Sequence, residues 1–174
     1  MEHVPKRLDG FIRSLPSGSH VLIPGCGEDH RTIEAFARAG HRVTGIDFSP
    51  VAVERAKKSL PQFSDKIILG EFFSYEFGAG VFDIVYERTF LCSLPPRSWN
   101  DYVARVARLL RPRGTLAGFF FYGEESDPPP YPLTKSKAVE IFGGRFNLQK
   151  TEAVDDSLSI FAGTEKWQEW QLRS

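Results

Sequence analysis

His20-Val21-Leu22-Ile23-Pro24-Gly25-Cys26-Gly27 is the stretch whose reading decides the fold. Its apolar run is continuous rather than alternating, as in a strand buried on both faces, and Gly25 and Gly27 end it in a tight turn. A helical pattern follows at 32–38, closed by Gly40. Arg42-Val43-Thr44-Gly45-Ile46-Asp47 is a second strand of the same kind, and Ser49-Pro50 starts a helix over 51–60. Continuous apolar strands separated by helices imply a parallel sheet covered on both sides.

The alternation extends outward from there. Strands are expected at 66–69 and 81–86, then a helix over about 98–110 stopped by Arg111-Pro112-Arg113-Gly114, then a very apolar strand at 115–122 that belongs inside the sheet. Residues 123–132, rich in proline and acids, read as an exposed crossing loop. After a helix at 134–142, the stretches 146–154 and 165–172 have no helix between them, which predicts an antiparallel hairpin. The expected fold is therefore α/β and Rossmann-like: a doubly wound, mostly parallel seven-stranded sheet with helices on both faces and a C-terminal antiparallel hairpin. No repeat or boundary divides residues 1–174, so a single domain is expected.

Composition narrows the function classes. With 22 Lys and Arg against 22 Asp and Glu, the chain of 174 residues carries no global field for a nucleic acid or an anionic membrane. No apolar run approaches a membrane span, and Met1-Glu2-His3-Val4-Pro5 opens no signal-like segment, so a cytoplasmic protein is expected. The two cysteines, Cys26 and Cys92, are too few for a disulfide scaffold or a zinc site and read as reduced thiols. His30 and His41 read as turn or capping residues without metal partners, while Phe119, Phe120, Phe121, Trp167 and Trp170 read as core.

The chemistry lies in the glycine turn and in Asp47, about 20 residues on at the end of the second strand. Glycines there let a ligand approach the backbone, and a carboxylate at that distance accepts from a ribose diol. The position three after Gly27 is His30 rather than glycine, and Glu28 and Asp29 follow the turn. Those acids suit a pyrophosphate poorly, so a nucleoside without phosphates fits better. The competing reading is a plain tight turn, with Asp47 capping the helix near Pro50.

These residues carry a resemblance. Leu22-Ile23-Pro24-Gly25-Cys26-Gly27, Ala39-Gly40-His41-Arg42-Val43-Thr44-Gly45-Ile46-Asp47, Gly70-Glu71-Phe72-Phe73 and Phe82-Asp83-Ile84-Val85-Tyr86-Glu87-Arg88 resemble the class I S-adenosylmethionine-dependent methyltransferases. The nearest branch is that of the thiopurine methyltransferases and the plant-type halide and thiol methyltransferases. Leu109-Leu110-Arg111-Pro112-Arg113-Gly114 and Asp127-Pro128-Pro129-Pro130-Tyr131 extend the likeness over almost everything beyond about residue 18.

The resemblance implies S-adenosylmethionine as cofactor and a small-molecule methyl acceptor. It sets Pro24, Gly25, Cys26 and Gly27 against the methionine and ribose, Asp47 on the ribose hydroxyls with Phe48 beside it, and Glu71 and Phe72 around the adenine. Glu87 would meet the cofactor's amino group through its side chain or backbone, and Arg88 would face the acceptor; a surface ion pair is the alternative for these two. The family more often shows Asp-Phe and Asp-Arg at the last two pairs. It also carries a longer N-terminal lid, so residues 1–18 are expected to make only a partial one, and residues 123–132, with Tyr131, the pocket rim. A thiol, or a selenium, tellurium or halide species, is the implied acceptor. An oxygen- or nitrogen-directed enzyme using Glu87 or a histidine as base, and a non-enzymatic cofactor-binding domain, remain as alternatives.

Overall fold

The computed structural model describes residues 4–124 and 127–174. Residues 1–3 of the expected lid and 125–126 of the expected rim lie outside the described residues.

Strands β1 (His20–Pro24), β2 (Arg42–Asp47), β3 (Ile67–Leu69), β4 (Phe82–Arg88), β5 (Leu110–Phe121), β6 (Phe146–Ala153) and β7 (Glu165–Leu172) form one sheet in the order β3-β2-β1-β4-β5-β7-β6. The first five pair in parallel, and β7 runs antiparallel to both β5 and β6. Chain order reverses between β1 and β4, and open sheets of this kind bind ligands outside the strand ends at that crevice.

Both faces of the sheet are covered. Leu22, Ile46, Val85, Leu116 and Phe120 pack with α4 (Trp99–Leu109) and α5 (Lys135–Phe142) through Tyr102, Val106 and Phe142. Val21, Ile23, Ile84, Tyr86 and Phe119 pack on the other side with α1 (Lys6–Ser14), α2 (His30–Arg38) and α3 (Pro50–Ser59). Consecutive residues thus enter opposite apolar layers, which is why the strands read as unbroken hydrophobic runs. In α1, Leu8, Phe11 and Ile12 supply the buried stripe at helical spacing. Truncating a wholly buried side chain such as Phe36 to alanine costs about 3–5 kcal/mol.

Local chemistry fixes the ends beside the crevice. Asp29 caps α2, accepting from the Thr32 amide at 3.3 Å and the Thr32 hydroxyl at 2.6 Å, so α2 starts two residues before the sequence pattern does. Ser49 caps α3 with Pro50 in its first turn, as the sequence predicts. Strand β4 runs on to Arg88, two residues further than expected. Its last turns pair with β5 because Gly118 faces Glu87, and a β-carbon there would collide with the Glu87 backbone. The run 111–114, expected only to stop a helix, is a bulge inside β5: Phe82 pairs with Leu110 and Ile84 with Thr115, while Arg113 takes φ +63°.

Candidate functional site

Gly25 and Gly27 turn the chain after β1 with φ of +60° and +51°. A β-carbon on Gly25 would run into the Phe90 ring, so glycine is demanded there by space as well as by φ. The turn is tied to β2 through one carboxylate: Asp47 Oδ2 accepts from the Gly27 amide at 2.8 Å, and Oδ1 from the Ser49 amide at 2.9 Å. Each oxygen keeps a second lone pair, so Asp47 can still accept from a ligand diol.

Two cavities open beside this turn and share Gly25 and Thr89. One, of about 250 Å³, is lined by Asp47, Phe48, Gly70, Glu71, Phe72 and Phe90. Phe48 is 75 % exposed at its edge, an unusual position for so large an apolar ring. Phe72 is buried and meets the rings of Phe73, Phe90 and Tyr102, forming the inner wall. Glu71 is exposed and its Oε2 accepts from the Ser74 amide at 2.8 Å, shaping the loop after β3.

The second cavity, of about 450 Å³, lies between the 25–32 turn, Tyr86, Arg88 and Thr89, with Val4, Pro5 and Leu158 over it. The segment entering α1 therefore covers part of it, but the β6–β7 connection shares the work, which the sequence reading missed. The two are linked: the Lys6 amide donates to Asp156 at 2.8 Å, and Arg7 pairs with Glu152 at 2.8 Å. Tyr131, expected on the rim, is half-buried; its amide donates to the Cys92 carbonyl at 2.7 Å, and it lines a smaller cavity with Thr89, Cys92 and Glu165 rather than either of these two.

Alternation along β4 separates Glu87 from its neighbours. Glu87 points toward α4 and is 1 % exposed; Oε1 accepts from the Phe90 and Leu91 amides at 2.8 and 2.9 Å, Oε2 from the Tyr102 hydroxyl at 2.6 Å. Burial pushes its carboxyl up to about 7 against the opposing pull of those three bonds. The side chain thus shapes the loop after β4 and lines neither of these two cavities.

Tyr86 and Arg88 point the other way. The Arg88 side chain is 9 % exposed, with its guanidinium carbon 4.4 Å from the centre of the Phe119 ring and Nη2 4.0 Å from Glu165 Oε2. Nε and Nη2 of Arg88, the Tyr86 hydroxyl and Glu165 Oε2 are buried without a hydrogen-bond partner. Such groups are rare in folded proteins, because each forgoes about 1–3 kcal/mol of solvation, and Tyr86 and Arg88 both line the second cavity. Thr89, next in the chain, holds φ +62° without being glycine, a strain typical of binding loops.

Pro24 is buried at the end of β1 and lines neither cavity. Cys26 offers backbone only: its amide donates to the Ile46 carbonyl, its sulfur packs toward Gly45, and burial pushes the thiol up to about 12. His30 lines the second cavity with Nδ1 3.1 Å from the Glu28 carbonyl, while His41 is buried against the Ile12 carbonyl. Among the described residues no group of three or more His, Cys, Asp or Glu could hold a metal, and no helix is long and apolar enough to cross a membrane.

A family model, thiopurine S-methyltransferase, matches residues 1–172. The chain belongs to the thiopurine S-methyltransferase family. It is 33 % identical over 168 residues to probable thiol methyltransferase 2 of Arabidopsis thaliana, covering 92 % of this chain and 73 % of that one. It is 27 % identical over 163 residues to thiocyanate methyltransferase 1 of Brassica oleracea, covering 91 % and 71 %. The fold matches a Burkholderia thailandensis 1,6-didemethyltoxoflavin N1-methyltransferase solved with S-adenosylhomocysteine, at TM-score 0.78 and 18 % identity over 97 % of this chain and 78 % of that one. The protein is accordingly an S-adenosylmethionine-dependent methyltransferase.

Proposed function

We propose that this methyltransferase transfers the methyl group to a small, soft nucleophile, a thiol or a related sulfur, selenium, tellurium or halide species, bound beside Arg88. The observation that carries this reading is the set of unpartnered Arg88 N–H groups at a cavity that shares Gly25 and Thr89 with the cavity holding Asp47.

The residues suit S-adenosylmethionine. Asp47 has acceptor capacity left for the two ribose hydroxyls, and Phe48 offers an exposed ring face to the adenine opposite the Phe72 and Phe90 wall. Gly25 and Gly27 leave backbone bare where the nucleoside would pass toward the second cavity. When bound, this cofactor supplies a methyl group on a sulfonium, a leaving group that needs no protonation.

The chain is then left with positioning. Arg88 donates to the electron-rich acceptor and aligns it, and Val4, Pro5 and Leu158 shield it from water. A thiolate or a soft anion is available near neutral pH without an enzyme base, which agrees with Glu87 being tied up internally. An oxygen or nitrogen acceptor would ask more of that carboxylate. We place the reaction in the cytoplasm, in keeping with two free, buried thiols.

The test is an acceptor panel with methyl-labelled cofactor. Label appearing in thiols, hydrosulfide, thiocyanate or iodide supports the reading; label confined to hydroxyl or amine compounds overturns it.

A further inference from the structure

The residue nearest the Arg88 charge comes from the far end of the chain. Glu165 opens β7 and pairs with Phe121, two positions before Trp167 pairs with Phe119 on the same face. Phe119 pairs in turn with Arg88 on β4. The Phe119 and Trp167 rings are 5.1 Å apart, so the Arg88 guanidinium lies on an aromatic floor with Glu165 at its outer edge. The Glu165 side chain is 2 % exposed, and the 4.0 Å from Oε2 to Nη2 is too long for a hydrogen bond. Burial pushes the Glu165 carboxyl up while the Arg88 charge pulls it down, and both side chains keep unpartnered atoms.

We propose that Glu165 is a specificity-determining positioning residue: its carboxylate offsets the Arg88 charge, so the acceptor cavity binds anions less tightly than Arg88 alone would and admits a thiol in its neutral form, which gives its proton to solvent before the thiolate takes the methyl group. This rests on the acceptor reading above. Other charged groups bear on the pair more weakly. Asp156, in the β6–β7 connection, adds negative charge on the Glu165 side, and Asp29, at the start of α2, acts on the neighbouring Tyr86 hydroxyl. Neither is the partner that closes on Arg88. Glu165 touches no reacting atom in this account. Its effect passes through Arg88, so it should appear as a change of preference rather than a loss of rate.

The test compares kinetics of the full chain with thiocyanate, an anion at every working pH, and with an alkyl thiol held well below its own pKa, where it is neutral. E165Q keeps the shape and removes the charge. It is expected to lower the thiocyanate KM about tenfold relative to the thiol KM, a factor worth about 1.4 kcal/mol. Calorimetric affinity for S-adenosylhomocysteine should be unmoved. If E165Q does not fold, E165D, which withdraws the carboxylate by one methylene, should move the ratio the same way by a smaller factor. An equal fall of kcat for both acceptors would mean a structural role and overturn the proposal. Loss of thiol turnover with thiocyanate unchanged would make Glu165 a proton acceptor and overturn it too. A wild-type protein that turns over neither acceptor brings down the acceptor reading and this inference together. One that turns over both while the variants leave the ratio unchanged brings down this inference alone.

Discussion

Asp47 Oδ2 accepts from the Gly27 amide at 2.8 Å, so the turn after β1 and the end of β2 are held by one carboxylate whose other oxygen starts α3 through Ser49. Asp47 also lines the smaller of the two cavities beside that turn.

Asp47→Asn keeps the shape and removes the charge, whereas Asp47→Ala removes both backbone bonds. Hydrogen bonds to a charged acceptor are worth about 1.5–3 kcal/mol, so Asp47→Ala should weaken S-adenosylhomocysteine binding by about tenfold or more, with Asp47→Asn in between. Isothermal calorimetry on folded variants checks it. Unchanged affinity would show that Asp47 serves only the turn.

Arg88→Ala should act on the acceptor side. The expected result is a fall in kcat/KM for the acceptor of at least about tenfold, with S-adenosylhomocysteine affinity within about twofold of wild type. Lysine should rescue little, since a point charge on a flexible stem does not lie flat on the Phe119 ring. A collapse of cofactor binding with acceptor kinetics intact would put Arg88 in the cofactor site instead.

Glu87 makes stability depend on pH in a direction opposite to a carboxylate whose pKa is lowered by folding. Its folded pKa of about 7 exceeds the usual 4.5, so the native state holds the proton more tightly than the unfolded chain. This contribution is fully present below about pH 4.5 and is lost as pH rises through 7, for a difference on the order of 3 kcal/mol. Denaturant titrations of wild type and Glu87→Gln from pH 4.5 to 8 should show the wild type losing ground to the variant as pH rises. Parallel curves would mean that Glu87 stays ionised throughout.

How legible all this was in the sequence depended on distance along the chain. The Gly25–Gly27 turn and Asp47 could be read because a strand, a turn and a capped helix are local patterns, and the continuous apolar strands announced two covered faces. Arg88 could be placed at the end of β4 but not paired. Glu165, 4.0 Å from it, sits on β7, which enters the sheet antiparallel after a long excursion, and no local periodicity links the two. Glu87 reads as a site carboxylate by position, yet Tyr102 and the 90–91 amides claim it, because strand alternation turns it toward α4. The cover over the second cavity was half legible: Val4 and Pro5 precede a visible amphipathic helix, while Leu158 lies in a connection with no pattern of its own.

Whether a soft acceptor reacts as its own anion beside Arg88 is read from pH–rate profiles at subsaturating acceptor for a series of thiols of graded acidity. The rate is expected to rise with pH and then level off, with an inflection that moves from thiol to thiol along with the acceptor's own pKa. An inflection fixed at one pH across the series would reveal an enzyme-borne base and contradict a thiol that reacts as its own anion.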